Sequence, residues 1–450
     1  MIHMDFNQAA RLLQCQPLQT DIYFKGITSD SRHVTPGMLF AALQGESFDG
    51  HDYVQQAAEQ GAAAVLVKHT VETGLPVLQV DDVLAALGIL AAHWRLQCPA
   101  KVVGITGSNG KTTVKEMVAC ILRQSGTVLA TEGNFNNELG LPLTLFRLNK
   151  SDDFAVLEIG ASKPGDVAYL AGITQPDIGL ITNIGPAHLQ GFINVEGVAR
   201  AKGEMYASLG RNATAVINSA EPWVKLWKSI NTAGTIRYFN GEGKNQVRAR
   251  SSGEDTVVYT PLGEYSLRLP LPGQHNLTNA LAATAVCLAL GVSLSDIKKG
   301  LETVKPVKGR LNLVRTDAGW TVIDDTYNSN PASLYAALKV LANQCGEPWL
   351  VIGDMMELGV DSRKMHAELG DAARSLGVRR LFALGEASAA TVDSFGDMAV
   401  HFKNRDSLIQ ALRSQLKPGV ACLVKGSRSM GMEHVVSAIT NGFGNLQVNG

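Results

Sequence analysis

The segment with the clearest chemical potential is a glycine-containing loop that leads directly into a lysine and two threonines. Its residues are Thr106-Gly107-Ser108-Asn109-Gly110-Lys111-Thr112-Thr113. The glycines allow backbone N–H groups to converge on phosphate oxygens, and a helix beginning at Lys111 would add the positive end of its dipole. Lys111 would reach the outer phosphates of a nucleotide, and the Thr112 hydroxyl would face a magnesium ion. Ile105 stands where the strict phosphate-loop pattern has its first glycine, so an ordinary glycine turn is the alternative.

Two further side chains follow predicted strands, and a third lies on a predicted helix. Glu158 closes the apolar run 154–159, and His188 follows the run 178–184. The carboxyl ends of parallel strands border the ligand crevice of α/β folds, so these side chains should lie near the loop. Glu158 and Thr112 supply the hard oxygen ligands that magnesium prefers. A solvent salt bridge for Glu158 and a structural role for His188 remain open, and Lys202 alone is typical of a solvated lysine.

The elements that position these residues alternate between strands and helices. A strand over 101–106 and a helix over 111–124 flank the loop, and the runs 154–159, 178–184 and 214–217 read as strands. This alternation predicts a mainly parallel sheet with helices on both faces. Residues 235–270 differ, because 257–260 and 265–269, with Gly263 between them, predict an inserted β hairpin. A helix over 280–290 follows, which Asn276 could cap.

Similar units flank this central region. Helical patterns at 7–13, 51–60 and 82–95, with strands at 37–42 and 62–67, predict a small α/β unit at the N-terminus. A third unit begins near Arg310, where apolar runs end at Asp324, Gly353, Gly385 and Lys425 and predict a second doubly wound, Rossmann-like sheet. The fold class is therefore α/β with three domains: residues 1–83, residues 84–309 as a phosphate-loop ATPase-like domain, and residues 310–450.

Composition excludes several classes of protein. The chain has 450 residues, for which the usual domain size favours three domains. Apolar residues make up 45% and charged residues 18%, which is typical of a globular protein. Forty basic and 41 acidic residues give a net charge of −1, so we expect no nucleic-acid partner.

The cysteines and apolar segments bear on location. The six cysteines form no C-x-x-C pair, which disfavours a structural zinc site or a disulfide framework. The N-terminus has no basic segment followed by an apolar run, and no apolar stretch reaches the roughly 18 residues of a membrane span. We therefore expect a cytoplasmic protein without a membrane span.

Several motifs together resemble the ATP-dependent Mur ligases, which build the peptide precursor of peptidoglycan in the cytoplasm. The phosphate loop, Glu158, His188 and the segment Ala201-Lys202-Gly203-Glu204 recur in that family. Motifs at 324–331, 353–359 and 425–433 are similar to the branch that joins D-alanyl-D-alanine to UDP-N-acetylmuramoyl-tripeptide. The resemblance runs from Asp30 to Glu433. It implies a monomer with ATP and Mg²⁺ as cofactors, and an N-terminal domain for the UDP moiety.

The resemblance also implies roles for individual residues. Ser29, Asp30, Ser31 and Arg32 resemble the uridine-nucleotide loop, although serines stand where threonines are common and a simple turn is the alternative. The loop 134–141 resembles the one facing the muramoyl peptide, with Asn134, Asn136 and Asn137 as substrate residues. On the nucleotide side, the implied residues are Asn276, Asn279, Arg310 and Asp325. In the third domain, the implied substrate residues are Asn328, Asn330 and Glu357.

The resemblance also implies a metal site. The implied metal ligands are Thr112, Glu158, His188 and Lys202. Lys202 is expected to be carbamylated, which would convert a cation into an oxygen ligand. The implied catalytic residues are Lys111, Glu158, His188, Lys202 and Arg310.

The sequence leaves alternative activities to be weighed. MurE and folylpolyglutamate synthase share the phosphate loop, but the third-domain motifs D-N-P-R and D-G-A-H-N do not occur where this chain has Asp324-Asp325-Thr326-Tyr327-Asn328. An ATP-driven switch or motor would have no use for Glu158, His188 and Lys202 together. A non-catalytic descendant is disfavoured because the expected catalytic side chains are present.

Overall fold

The computed structural model describes residues 1–19, 21–45, 47–252, 255–441 and 445–446. The end of the predicted third domain, at residue 450, lies outside these residues. No helix in the described part of the chain is long and apolar enough to cross a membrane.

The N-terminal region contains a four-stranded parallel sheet with a short antiparallel pair beside it. The sheet order is β3-β4-β5-β6, and β1 pairs with β2. The strands are β1 His3–Asp5, β2 Tyr23–Lys25, β3 Ile27–Thr28, β4 Leu39–Ala41, β5 Ala64–Val67 and β6 Val77–Gln79. The helices are α1 Phe6–Leu12 and α2 Val54–Glu59. The predicted small α/β unit is present.

The central region is built on a six-stranded sheet in the order β12-β11-β10-β7-β9-β8, and all its pairings are parallel. Its strands are β7 Lys101–Thr106, β8 Val128–Ala130, β9 Phe154–Glu158, β10 Ile178–Ile181, β11 Thr214–Asn218 and β12 Thr235–Phe239. The helices up to β12 are α3 Val83–Gln97, α4 Lys111–Leu122, α5 Gly140–Phe146, α6 Asp166–Thr174, α7 Leu189–Phe192, α8 Val195–Ala207 and α9 Val224–Ile230. This is the parallel sheet with helices on both faces that the alternation predicts.

The region 235–270 differs from the predicted hairpin in two ways. Residues 235–239 form the edge strand of the parallel sheet. The insertion has three antiparallel strands: β13 Arg248–Ser252, β14 Asp255–Thr260 and β15 Gly263–Leu267. The sequence of β13, RARSS, has no apolar run that would predict a strand.

Two helices complete the central region, α10 Gln274–Ala289 and α11 Leu294–Glu302. The first begins six residues before the predicted start at 280, with Gly273 rather than Asn276 at its N-cap. The prediction of Asn276 as the cap was wrong because Asn276 lies inside the first turn, where its side chain donates to the Pro272 carbonyl at 2.7 Å.

The third region is a seven-stranded mixed sheet in the order β20-β19-β18-β21-β17-β16-β22. The predicted doubly wound sheet is formed by the parallel strands β17 to β21, and β16 and β22 add an antiparallel edge to it. The strands are β16 Asn312–Thr316, β17 Thr321–Asp325, β18 Glu347–Gly353, β19 Arg380–Leu384, β20 Ala399–Phe402, β21 Val420–Lys425 and β22 Asn445–Leu446. The helices are α12 Pro331–Ala342, α13 Ser362–Ser375, α14 Ala389–Phe395, α15 Arg405–Gln415 and α16 Glu433–Thr440.

Buried strands carry alternate side chains into the two apolar layers of each sheet. Along β18, Leu350 and Ile352 enter one layer, while Trp349 and Val351 enter the other. Helices cover both faces, which explains why these strands read as continuous apolar runs.

The apolar clusters do not follow the N-terminal boundary. One cluster joins Phe6 and Phe24 to Leu145 and Leu157 of the central region through Leu87 of helix α3. The clusters of the third region, by contrast, begin at Leu311, and those of the first two end at Val304. Within the described residues, the first two regions therefore share a core that the third does not enter.

Candidate active site

A cleft of about 1080 Å³ opens between the central and third regions, at the carboxyl ends of their strands. Its walls include several predicted site residues: Ser108, Asn109, Gly110, Lys111, Asn134, Asn136, Asn137, Glu158, His188, Arg310, Asn328, Asn330 and Glu357. The predicted residues Gly107, Thr112, Thr113, Lys202, Asn276, Asn279 and Asp325 are not part of its wall. Charged and amide side chains from two regions thus meet in one space.

The phosphate loop requires glycine at two positions. Gly107 has a φ of 147°, and a Cβ there would lie 1.9 Å from Thr182 Oγ1. Gly110 has a φ of 79°, and a Cβ there would lie 2.5 Å from Asn279 Oδ1. Only glycine adopts these conformations in so little space. The loop therefore turns sharply into helix α4, whose first residue is Lys111.

The loop is fixed to the segment that follows strand β10 by several hydrogen bonds. Ser108 Oγ donates to the Gly185 carbonyl at 3.1 Å, and the Asn109 N–H donates to Asn183 Oδ1 at 3.0 Å. Thr182 Oγ1 donates to the Asn109 carbonyl at 2.6 Å. These bonds hold the loop in one shape, which is how backbone amides are organised to bind an anion.

The Lys111 ammonium folds back onto the loop, where it donates to the Gly107 carbonyl at 2.7 Å. Burial lowers the pKa of Lys111, while the Glu158 carboxylate opposes that shift. A buried ammonium with so few anionic neighbours is well suited to a phosphate.

Glu158 is a buried carboxylate at the end of β9 with both oxygens engaged. Thr112 Oγ1 donates to one oxygen at 2.9 Å, and Asn136 Nδ2 donates to the other at 2.8 Å. Its backbone N–H donates to Thr131 Oγ1 at 3.0 Å. Glu158 is only 3% exposed, so the solvent salt bridge is wrong. The carboxylate and hydroxyl lie within bonding distance, as a shared hard cation would need.

Lys202 is one of the most deeply buried lysines, at 1% exposure on helix α8. Its Nζ lies 5.8 Å from the centre of the Phe192 ring. Burial, followed by the nearby charge of Lys111, lowers the pKa of Lys202 to about 7. The solvated lysine that the sequence alone suggested is therefore wrong, and much of this amine is neutral near neutral pH.

His188 joins the two walls of the cleft. Its Nδ1 contacts a carboxylate oxygen of Glu357 from the third region. Both residues have left-handed backbones, with φ of 54° and 62°. Such strain in residues other than glycine is retained where the surroundings impose it, often at functional sites. Burial lowers the pKa of His188, although the Glu357 carboxylate opposes this.

Third-region residues also reach the phosphate loop itself. An Arg310 N–H donates to Thr112 Oγ1 at 3.3 Å, and the guanidinium lies 4.0 Å from the centre of the Tyr327 ring. Among the described residues, the buried Arg310 Nε has no hydrogen-bond partner. Asn330 Nδ2 donates to Asn109 Oδ1 at 2.8 Å. The unpartnered guanidinium nitrogen beside the loop is available for an anionic ligand.

Asn276 and Asn279 are buried on helix α10 and packed against the phosphate loop. Asn279 Nδ2 donates to Asn276 Oδ1 at 3.2 Å, while the Asn279 side chain abuts Gly110. A second, smaller pocket has Asn276, Thr113 and Arg310 in its wall, together with Leu271 and Val304. It lies directly beside the helix that follows the loop.

Other predicted residues have partners of their own. Asp325 accepts from Lys425 Nζ at 2.5 Å and from the Leu311 N–H at 3.2 Å. Asn137 accepts from the Gly140 N–H at 2.9 Å. Asn328 lies on the cleft wall, where its carbonyl accepts from Lys425 Nζ at 2.9 Å.

The predicted uridine-nucleotide loop lies apart from the cleft wall. Arg32 pairs with both oxygens of Asp30, at 2.9 and 2.7 Å. This pairing holds the pKa of Asp30 well below its usual range. Ser31 Oγ donates to Gln56 at 3.0 Å, and Ser29 precedes this turn. The segment forms a short 3-10 turn, so it is both a turn and a candidate surface for a diphosphate.

Tyr327 and Arg428 line the cleft, although the sequence assigned neither of them a role. The Arg310 guanidinium packs against the Tyr327 ring, and the Arg428 guanidinium lies 6.0 Å from the centre of the same ring. Both residues occur in motifs already recognised, at 324–331 and 425–433, but only the fold places them on the same wall.

The fold and this site agree with comparisons to known protein families. Three family models match this chain. Residues 23–95 match the model described as "Mur ligase family, catalytic domain". Residues 105–287 match "Mur ligase middle domain", and residues 309–428 match "Mur ligase, glutamate ligase domain". The chain belongs to the Mur ligase family and is an ATP-dependent amide ligase.

Two relatives that match over nearly the full length share one name. UDP-N-acetylmuramoyl-tripeptide–D-alanyl-D-alanine ligase of Escherichia coli is 41% identical, covering 98% of this chain and 99% of that protein. The Bacillus subtilis ligase of the same name is 36% identical, covering 91% and 92%.

Solved structures give the same result. A crystal structure of MurF from Acinetobacter baumannii matches with a TM-score of 0.89 and 36% identity, covering 97% of this chain and 99% of that one. MurF ligase from Thermotoga maritima in complex with ADP matches with a TM-score of 0.82 and 28% identity, covering 92% and 97%. The three-part α/β fold predicted from the sequence is confirmed.

Proposed function

We propose that this protein joins D-alanyl-D-alanine to UDP-N-acetylmuramoyl-tripeptide, consuming ATP and releasing ADP and phosphate. The observation that carries the proposal is the meeting of the phosphate loop, Glu158 and His188 with third-region side chains in one cleft. The names of the full-length relatives support the choice of substrates.

The reaction needs activation because a carboxylate has no good leaving group. The terminal carboxylate of the tripeptide attacks the γ-phosphorus of ATP, which forms an acyl phosphate and expels ADP. The free amine of the dipeptide then attacks the acyl carbon, and the tetrahedral intermediate collapses to the amide with loss of phosphate and a proton. Lys111 and Arg310 would offset the charge on the transferring phosphoryl group. Closure of the two regions over the cleft would exclude water from the hydrolysable intermediate.

The donor set fits a magnesium ion. Thr112, Glu158 and His188 would hold it, and Lys202, once carbamylated, would supply an oxygen ligand for a second magnesium ion. Thr112 and Glu158 already lie 2.9 Å apart through a hydrogen bond that a cation would replace. Bound magnesium would neutralise phosphate charge, while the low pKa of Lys202 supplies the neutral amine that carbamylation requires.

We assign the remaining predicted residues by their place in the fold. Backbone groups from Gly107 to Thr113 would bind the phosphates, and Asn276 and Asn279, which are bonded to each other and packed against that loop, would approach the adenine. Asp325 would approach the ribose after exchanging its bond to Lys425. Asn134, Asn136 and Asn137 would face the muramoyl peptide, and Ser29 to Arg32 would take the uridine diphosphate.

The proposal extends to organisation and location. We assign residues 1–83 to the UDP substrate, 84–309 to ATP and 310–450 to the dipeptide. A monomer holds all these groups, which sedimentation at working concentration would test. ATP and a UDP-linked substrate place the activity in the cytoplasm.

Phosphate release from ATP and Mg²⁺ tests the proposal when the two substrates are added singly and together. Release that requires both, with a UDP-muramoyl-pentapeptide found by mass spectrometry, is the expected result. Release without acceptors would indicate an ATP switch. Product formation with glutamate or folate acceptors instead would indicate another ligase of the superfamily.

A further inference from the structure

Two neighbouring loops of the third region present opposite charges to the cleft. Glu357 lies in the loop after strand β18, and Arg428 lies in the loop after strand β21. These strands are adjacent and parallel in the sheet, so their carboxyl ends open side by side. A carboxylate and a guanidinium therefore face the same space from the same sheet edge.

The two loops are bonded to each other immediately beside the charged residues. The Met356 N–H donates to Ser427 Oγ at 2.8 Å, and the Ser427 N–H donates to the Asp354 carbonyl at 3.0 Å. Met356 directly precedes Glu357, and Ser427 directly precedes Arg428. The backbone separation of the two charges is therefore set by the fold.

The loop that carries Glu357 is also anchored to elements behind it. The Asp354 carboxylate accepts from the N–H groups of Ala387 and Ser388, at 3.2 and 2.8 Å. The Met355 N–H donates to Nε2 of the fully buried His366 at 3.0 Å. Anchoring on this scale holds a binding residue in place before its ligand arrives.

Glu357 and Arg428 have different neighbours, so a ligand that contacts both would bind in one orientation. Glu357 contacts His188 of the central region, and its carbonyl accepts from the Gln190 N–H at 3.4 Å. Arg428 has other partners: it pairs with Glu433 at 2.9 Å and lies 6.0 Å from the centre of the Tyr327 ring, and its side chain is 64% exposed. Glu357 therefore marks the His188 side of the cleft, and Arg428 marks the Tyr327 side.

We propose that Glu357 and Arg428 bind the two ends of the zwitterionic dipeptide, Glu357 its ammonium group and Arg428 its terminal carboxylate. This inference rests on the proposed function and adds the orientation of the substrate. An extended dipeptide separates its end groups by about 7 Å, which suits contacts from two adjacent loops. Arg428 can bind a carboxylate through two parallel N–H groups. The nucleophilic amine then lies beside His188, and the carboxylate lies beside Arg428 and Tyr327.

The first test separates the carboxylate contact from the ion pair that Arg428 already makes. Arg428→Gln and Glu433→Gln both break that ion pair, but only the first removes the guanidinium. We expect Arg428→Gln to raise the KM for D-alanyl-D-alanine about 10- to 100-fold, with the KM for ATP and UDP-tripeptide within about twofold. Glu433→Gln should keep the dipeptide KM within about twofold.

A substrate analogue tests the contact between Arg428 and the dipeptide carboxylate in the wild-type enzyme, so the result does not depend on the folding of a variant. Wild-type enzyme should use the C-terminal carboxamide of D-alanyl-D-alanine with a KM about 10- to 100-fold higher, because the amide lacks the charge that Arg428 binds. Arg428→Gln should treat dipeptide and carboxamide alike.

The ammonium contact is tested with a dipeptide that cannot react. N-acetyl-D-alanyl-D-alanine has no ammonium, so its inhibition constant should be the same for wild type and Glu357→Gln. The KM for D-alanyl-D-alanine should rise about tenfold in Glu357→Gln.

Two failures remain distinguishable. If wild-type enzyme forms pentapeptide but does not discriminate against the carboxamide, or if Glu433→Gln matches Arg428→Gln, the inference is overturned and the proposed function stands. If wild-type enzyme forms no pentapeptide, the proposed function itself fails.

Discussion

At the scale of single residues, burial decides the chemistry of this cleft. Glu158 and Lys202 are both almost wholly buried, and Lys111 shares their surroundings. Strand-end reasoning could place Glu158 and His188 at one sheet edge from the sequence alone. It could not place Lys202, because the depth of a helical lysine depends on the packing of α8 against the sheet. Only the family resemblance singled it out.

Lys202 should be carbamylated in a pH-dependent manner. CO₂ adds to a neutral amine and releases a proton, and raising the pH through the pKa of about 7 increases the neutral fraction. With ¹³C-bicarbonate, a carbamate carbon signal should grow between about pH 6 and about pH 8. It should persist in Lys101→Arg, whose side chain is exposed, and vanish in Lys202→Arg. A signal that is equal in both variants would contradict this assignment.

Lys111 and Glu158 should be needed for turnover rather than for folding. Lys111→Ala removes a cation beside the phosphoryl group, and Glu158→Gln removes the charge that would hold magnesium. Each should lower kcat about 10²- to 10³-fold, measured as phosphate release with both substrates. Lys364→Ala, on the exposed face of α13, is the matched control. Rates within tenfold of wild type for Lys111→Ala would exclude this role.

At the scale of elements, the sequence predicts most strands of the central and third sheets, because buried parallel strands are continuous apolar runs. It misses β13, whose residues are mostly polar, and it misplaces the start of α10, because Leu277 is the only apolar residue among the first six residues of that helix. It also gives no sign that Asp325 pairs with Lys425. Those two residues are directly opposite each other on β17 and β21, and that register exists only in the folded sheet.

Helix α12 combines a structural cap with a contact across the cleft. Asn330 caps it in a reciprocal pair with Ser333 and also donates to Asn109 of the phosphate loop. Asn330→Ala should cost about 1 kcal/mol of unfolding free energy and raise the KM for ATP several-fold.

Asn404 provides the control for this prediction. It caps α15 by accepting from the Ser407 N–H at 2.9 Å, and it is absent from the cleft wall. Asn404→Ala should show the same loss in urea unfolding, about 1 kcal/mol, with the KM for ATP unchanged. An equal rise in KM for both variants would mean that the Asn330 effect is only a loss of stability.

At the scale of the whole molecule, helix α3 holds the N-terminal and central regions together. Leu87 is fully buried in their common cluster, whereas Leu96 on the same helix is 63% exposed. Leu87→Ala should cost about 2–5 kcal/mol, and hydrogen exchange should accelerate in β4 and β7 together. Leu96→Ala should change neither. Faster exchange in only one of the two sheets would show that the regions unfold separately.

The apolar cluster shared by the N-terminal and central regions also determines which parts of this chain could be exchanged with those of a related ligase. A chimera that exchanges only residues 1–83 would have to match a foreign α/β unit to every apolar contact of α3. An exchange of the chain from residue 310 onward would disturb fewer apolar contacts, because the apolar clusters of the first two regions end at Val304 and those of the third region begin at Leu311. Polar contacts, such as the hydrogen bond between Asn109 and Asn330, join the third region to the others. The third region is therefore the transplantable module. A new nucleophile could be matched to the activating region by grafting at that junction, provided that the graft keeps an arginine at position 310 and an aspartate at position 325.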